Sequence, residues 1–255
     1  MNYHSHKNSS LTASFGDALL ASLAPDGGLW MPDKIPHFEP EETARIGAMS
    51  FADCSAELAT HFVDSRFASE DLKALCRDAY NYDVPMMTLA GEKLDLALAP
   101  DADNFILELF HGPTLAFKDF AARFMGRAAS HLMSATQQKR TILVATSGDT
   151  GGAIGDAFLD QDGIQVFILF PEGGVSKVQE QQLTTMGSSK SNVKAISVAG
   201  TFDDCQQLVK AAFANAELTD THSLMKCELY KCWTCYPAKF LLFLDVATSQ
   251  GCLSE

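Results

Sequence analysis

No apolar run in this chain approaches the length needed to cross a bilayer, and its first ten residues, MNYHSHKNSS, carry neither a secretory h-region nor an Arg-rich amphipathic pattern. A cytoplasmic location is the default expectation. Basic residues are scarce, with 19 Lys and Arg against 32 Asp and Glu and a formal net charge of −13. Phosphate backbones and anionic membranes are held mainly by Lys and Arg, so neither nucleic acid nor membrane is expected as a partner. A small-molecule ligand is the remaining expectation. Neither GxGxxG nor GxxxxGK[ST] occurs, which argues against a nucleotide site. There is no internal repeat and no low-complexity tract.

What is present divides the chain by pattern. Residues 1–85 read as a mainly helical segment. SFGDALLASLAPDGGLWMP places Ser14 as N-cap before Phe15, Ala18, Leu19 and Leu23 at helical spacing, then breaks at Pro25-Asp26-Gly27-Gly28. MSFADCSAELATHFV and SEDLKALCRDAY predict two further helices, the second with Ser69, Glu70 and Asp71 at its positive end. Beyond about Asn104 the short apolar runs FILELF, TILVAT, QVFILF and VKAISVA alternate with helical stretches at about 118–134, 151–160, 176–186 and 203–214. Such alternation predicts an α/β domain of βαβ units around a parallel sheet, with its ligand beyond the carboxyl ends of the strands.

Two stretches sit where those strands end. In HGPTLAFKDFAARF, Phe117, Phe120, Ala121 and Phe124 fall on one helix face, which is expected to be buried, with Lys118 beside it near the positive end of the helix. Both surroundings disfavour an ammonium, and a neutral amine is what capture of an aldehyde requires. The plainer alternative pairs Lys118 with Asp119 or Glu108, or lets it reach solvent. The second stretch, TILVATSGDTGGAIGDAF, runs from a strand through Thr146-Ser147-Gly148-Asp149-Thr150-Gly151-Gly152 into a helix. Glycines that turn N–H groups to one point, hydroxyl donors and a helix N-terminus suit a carboxylate or phosphate. An ordinary strand-to-helix turn capped by Asp149 or Thr150 remains the alternative. A lysine after one strand and an anion cradle after the next are the parts a pyridoxal phosphate enzyme uses on an amino acid.

These same residues carry a family resemblance. LELFHGPTLAFKDFAARF and ATSGDTGGA resemble signature stretches of the threonine synthases, as do SFGDALLASLAPDGGLWMP, FPEGGVSKVQEQQLTTMG and VAGTFDDCQQLVKAAF, in order over residues 11–222. The resemblance implies the tryptophan-synthase-β-like fold, PLP-dependent fold type II: a parallel sheet with flanking helices, of which the second half of the cofactor domain would be missing. It implies pyridoxal 5'-phosphate as cofactor, bound covalently at Lys118, with Phe117, Asp119 and Asp149 around it. Thr146, Ser147, Gly148 and Thr150 would meet the substrate, and no metal is implied. The reaction implied is conversion of O-phospho-L-homoserine and water to L-threonine and phosphate, with Lys118 moving the Cα and Cβ protons. A phospholyase acting on a phosphorylated hydroxy-amino acid, and a catalytically silent binding protein, are the competing readings.

The resemblance covers residues 86–222 as a partial cofactor-binding α/β domain and stops at about His222. No loop of Ser-Gly-Asn-Phe-Gly type follows. Four of the seven cysteines, Cys227, Cys232, Cys235 and Cys252, crowd the remaining residues, 223–255. Their spacing lacks a fourth zinc ligand at a suitable position. Read one nucleotide out of frame, residues 226–235 can encode SANSINVGR, which is family-like. This tail is therefore expected to be frameshifted, without an evolved function.

Overall fold

The computed structural model describes residues 1–88, 105–136, 139–186, 191–218 and 223–226. The cysteine-rich tail, with the zinc and frameshift expectations that fall on it, lies outside the described residues apart from a short strand at its start.

The chain opens on a strand that the sequence patterns did not announce. β1 (Asn2–Ser5) is the middle of a three-stranded antiparallel sheet, between β2 (Thr12–Ser14) and β3 (Trp30–Pro32). Tyr3 is fully buried and its hydroxyl donates to the Phe62 carbonyl at 3.2 Å. The same part of the chain holds four helices, α1 (Phe15–Ala21), α2 (Pro40–Gly47), α3 (Phe51–Ala59) and α4 (Ser69–Ala79), of which α1 packs on the sheet. The Ser14 and Ser50 hydroxyls accept from the backbone N–H groups of Asp17 and Asp53, so both helices start where a local cap satisfies an otherwise orphaned donor.

The second part begins with an antiparallel pair, β4 (Met86–Thr88) and β5 (Phe105–Leu107). This departs from expectation: the FILELF run does not enter the parallel sheet. A short apolar run has the same pattern whichever partner it finds, so local sequence does not select the sheet. Then come α5 (Lys118–Thr136), β6 (Arg140–Ala145), α6 (Asp149–Phe158), β7 (Ile164–Pro171), α7 (Lys177–Thr185), β8 (Val193–Val198), α8 (Phe202–Ala214) and β9 (Leu224–Lys226). The last four strands form a parallel sheet in the order β8-β7-β6-β9, with α6, α7 and α8 packed on its strands. Winding proceeds from β6 to β8 on one side, then returns to place β9 on the other side of β6. The carboxyl end of β6 thus stands at the switch in strand order, where open α/β sheets leave a crevice.

One hydrophobic core runs through both parts, from Tyr3 and Phe15 through Leu72, Phe120 and Phe124 to Ile142, Ile168 and Met225. The helix α5 joins them, packing on α1 and α4 on one side and on α6 on the other. Gly126 permits its close approach to α6, since a Cβ there would stand 2.5 Å from the Ala157 carbonyl oxygen.

Candidate active site

Lys118 is the first residue of α5, immediately after the turn at 111–117. That turn is held from inside by Asp119, whose buried carboxylate accepts from the Thr114 N–H at 2.9 Å and from the Thr114 hydroxyl. Burial pushes the Asp119 carboxyl up, and the bonds from Thr114 offset part of that rise. Leu115, in the same turn, has φ 60 and a 68% exposed side chain. A left-handed leucine costs energy that the surrounding contacts must cover, and such strain collects at functional sites.

Phe117 corrects the expected burial pattern. Phe120 and Phe124 are buried and Ala121 partly so, but Phe117 is 56% exposed. The reason is position: the helix starts one residue later, so Phe117 precedes the first turn and escapes its buried face. Its ring instead lies 4.4 Å from the Lys118 ammonium, within cation–π range.

The partner of Lys118 is neither of the two carboxylates expected from local sequence. Asp119 is engaged with Thr114, and Glu108 bonds His111 at 2.6 Å. The ammonium instead donates to Asp149 Oδ2 at 2.6 Å, from the start of a different helix. A charge-assisted bond of this length joins the two sequence stretches directly.

Asp149 is aimed by the loop before it. The carboxyl end of β6 leads into Gly148, whose φ of 144 and ψ of −95 are open to glycine alone, and a Cβ there would strike the Gln179 side chain. Neither Asp149 nor Thr150 is the N-cap of α6; Gly148 is, and it has no side chain to cap with. The buried Thr146 hydroxyl supplies that function from upstream, accepting from the Gly148 N–H at 3.0 Å and the Gly151 N–H at 2.9 Å and donating to the Gly148 carbonyl. Asp149 is therefore the first helical residue, its Oδ1 taking the Thr150 N–H and its Oδ2 turned to Lys118. Ser147 is exposed at the tip of the loop.

Phe117 and Asp149 both line an open depression of about 560 Å³. Its other walls include Phe110, Leu115 and Val178, all largely exposed, with Ser176, the N-cap of α7, and Gln179 and Gln182 of that helix. Sequence reasoning assigned no role to this α7 wall. A signal for its position was available: Ser176 followed three residues later by Gln179 is a capping-box spacing, and the structure forms that box. Among the described residues, the lining holds one carboxylate and no basic side chain; the ammonium of Lys118 sits between two lining residues.

A lysine at a helix start, a glycine-rich turn at the switch point of a parallel sheet and an open depression between them define a class. The fold is the tryptophan-synthase-β-like α/β fold, fold type II. Solved structures agree closely: a PLP-bound threonine synthase from Brucella melitensis matches with a TM-score of 0.88 and 36% identity over 100% of this chain and 53% of its own. The threonine synthase from yeast matches with a TM-score of 0.85 and 30% identity over 97% of this chain and 50% of its own.

In sequence, the family model for the threonine synthase N terminus matches residues 2–80. The threonine synthase of Pseudomonas aeruginosa is 37% identical over 84% of this chain and 44% of its own length. That of Escherichia coli is 35% identical over 86% of this chain and 47% of its own. Over most of its length the chain is similar to the threonine synthases. It spans about half the length of the curated relatives it matches.

Proposed function

We propose that the site around Lys118 serves threonine synthesis, converting O-phospho-L-homoserine and water to L-threonine and phosphate with pyridoxal 5'-phosphate as cofactor. The observation that carries this reading is the Lys118 amine, held at a helix start beside an open depression and joined to the glycine-rich turn of the next βα unit. The cofactor fits the reacting end of that site: a partly buried amine stands against Phe117 and Asp149, which line the depression, and the turn at Gly148 leaves no Cβ to intrude. When bound, pyridoxal phosphate supplies an aldehyde for the lysine and a ring that draws electrons from the substrate carbons.

The chain's own residues then have distinct tasks. Lys118 holds the cofactor and moves protons at the substrate Cα and Cβ. Phe117 walls the pocket beside the amine. Asp119 acts from inside, fixing the turn that presents Lys118. The Ser147 N–H and the hydroxyls of Ser147 and Thr150 take the substrate carboxylate at the start of α6, in the turn that Gly148 makes. Thr146 has its hydroxyl engaged within the loop and shapes the cradle. The assignment of 1–85 as the leading segment and 86–222 as part of the cofactor-binding domain belongs to the same proposal, as does a cytoplasmic setting.

The test is borohydride reduction of the chain with pyridoxal phosphate, mass mapping of the modified lysine and an assay for threonine and phosphate released from O-phosphohomoserine. Reduction that fixes the cofactor at Lys118, with threonine formed and both lost in Lys118→Ala, is the expected result. Labelling scattered over surface lysines would remove the reading.

A further inference from the structure

An ammonium cannot attack a carbonyl until it gives up a proton, so a lysine that captures an aldehyde needs an acceptor within reach of Nζ. The Lys118 side chain is 21% exposed and has Asp149 Oδ2 at 2.6 Å. The other nearby acids are engaged elsewhere, Asp119 with Thr114 and Glu108 with His111. The Asp149 carboxylate is 42% exposed and lines the depression from which an aldehyde would arrive. Its aim is set by the Gly148 backbone and by the bonds Thr146 makes to Gly148 and Gly151. The Phe117 ring, 4.4 Å from Nζ, flanks the amine beside this carboxylate.

We propose that Asp149 is the proton acceptor that activates Lys118 toward an aldehyde, and that it positions the amine for attack. The proposal rests on the reading above for the role of Lys118. The step balances as follows. The ammonium passes one proton to Asp149, and its lone pair forms a bond to the aldehyde carbon while the carbonyl π electrons move to oxygen. That oxygen takes the proton from Asp149 and a second from nitrogen, and leaves as water. Nitrogen keeps one proton and a double bond to carbon, and Asp149 ends as a carboxylate again.

The experiment measures the rate at which pyridoxal phosphate modifies Lys118 in the full chain, trapped with borohydride and mapped by mass, with the remaining lysines as an internal reference. Removing a positioned base costs on the order of a hundredfold in such proton transfers. Asp149→Ala is expected to slow modification of Lys118 by about that factor while leaving the reference lysines unchanged. Added formate should restore the rate in proportion to its concentration, and Asp149→Glu should retain most of it. A carboxylate with a merely structural role would give no formate response. Where Asp149→Ala lowers the fraction folded, Asp149→Asn, of nearly the same shape, carries the same expected slowing.

Modification of Lys118 at the wild-type rate in these variants, or slowing indifferent to both formate and Asp149→Glu, would overturn the proposal alone. Failure of the wild-type chain to modify Lys118 in preference to other lysines would instead overturn the functional reading on which it rests.

Discussion

Arg123 Nε of α5 donates to the Ala79 carbonyl oxygen at 2.7 Å, closing the last turn of α4 with a side chain from another helix. Its remaining donors reach the Asp78 carbonyl at 2.9 Å, Asn81 Oδ1 at 3.2 Å and Asp156 Oδ2 of α6 at 2.9 Å. One guanidinium thus satisfies helix-end carbonyls that have no partner within α4 and ties three helices together. Both of the chain's main parts meet at this residue.

Because the Arg123 side chain is only 7% exposed, truncating it strands Asp156 and two carbonyls at a packed interface. We expect Arg123→Ala to cost about 3–5 kcal/mol, the range for removing one partner of a buried pair. Arg123→Lys should recover part of that, since one ammonium cannot reproduce the planar fork. Chemical denaturation midpoints at constant slope measure both.

Thr146 offers a test of the loop that aims Asp149. Valine keeps the shape and the buried methyl but removes the oxygen that accepts from Gly148 and Gly151. Leaving buried donors unsatisfied costs about 1–3 kcal/mol, so Thr146→Val should fall in that range and Thr146→Ser should stay close to the wild type. The same valine variant should capture pyridoxal phosphate at Lys118 more slowly, because the carboxylate opposite has lost its anchor. Unfolding curves and lysine mapping read the two effects separately.

Acid stability should depend on Asp64. Burial raises its carboxyl, but hydrogen bonds from the Arg66 side chain and from the Gly16 and Arg66 N–H groups outweigh that and hold it well below the ordinary 3.8. A depressed value in the folded state means stability that is present above the unfolded value and lost as pH falls from about 4 toward the folded one. Wild-type stability is expected to decline through that window. Asp64→Asn should be less stable at neutral pH and show a flatter acid slope, as measured by denaturation at a series of pH values.

Much of the fold was legible because its signals are local. Ser14 caps α1 as expected, and the alternation from α5 to α8 produces the parallel sheet, since each periodic run sees its own cap or break within a few residues. The first strand was not legible: NYHS is short and largely polar, and it becomes a strand only because β2 and β3 supply partners on both sides. Phe117 was misplaced for a related reason. Helical spacing identifies a face, whereas the residue at which the helix starts depends on how the preceding turn folds over Asp119.

The candidate site divides the same way. From residue types and spacing alone, the chain determined that one lysine sits at a helix start after an apolar run and that a glycine-rich turn follows the next strand. Those are consequences of local backbone preference and hydrophobic period. Which carboxylate meets Lys118 was decided only in three dimensions, because Asp149 lies 31 positions away and reaches the amine through the packing of α5 on α6 and the turn at Gly148. The wall from α7 is of the same kind. Contacts between elements depend on the order in which strands settle in the sheet, and that order is set by burial of the whole core rather than by any one segment.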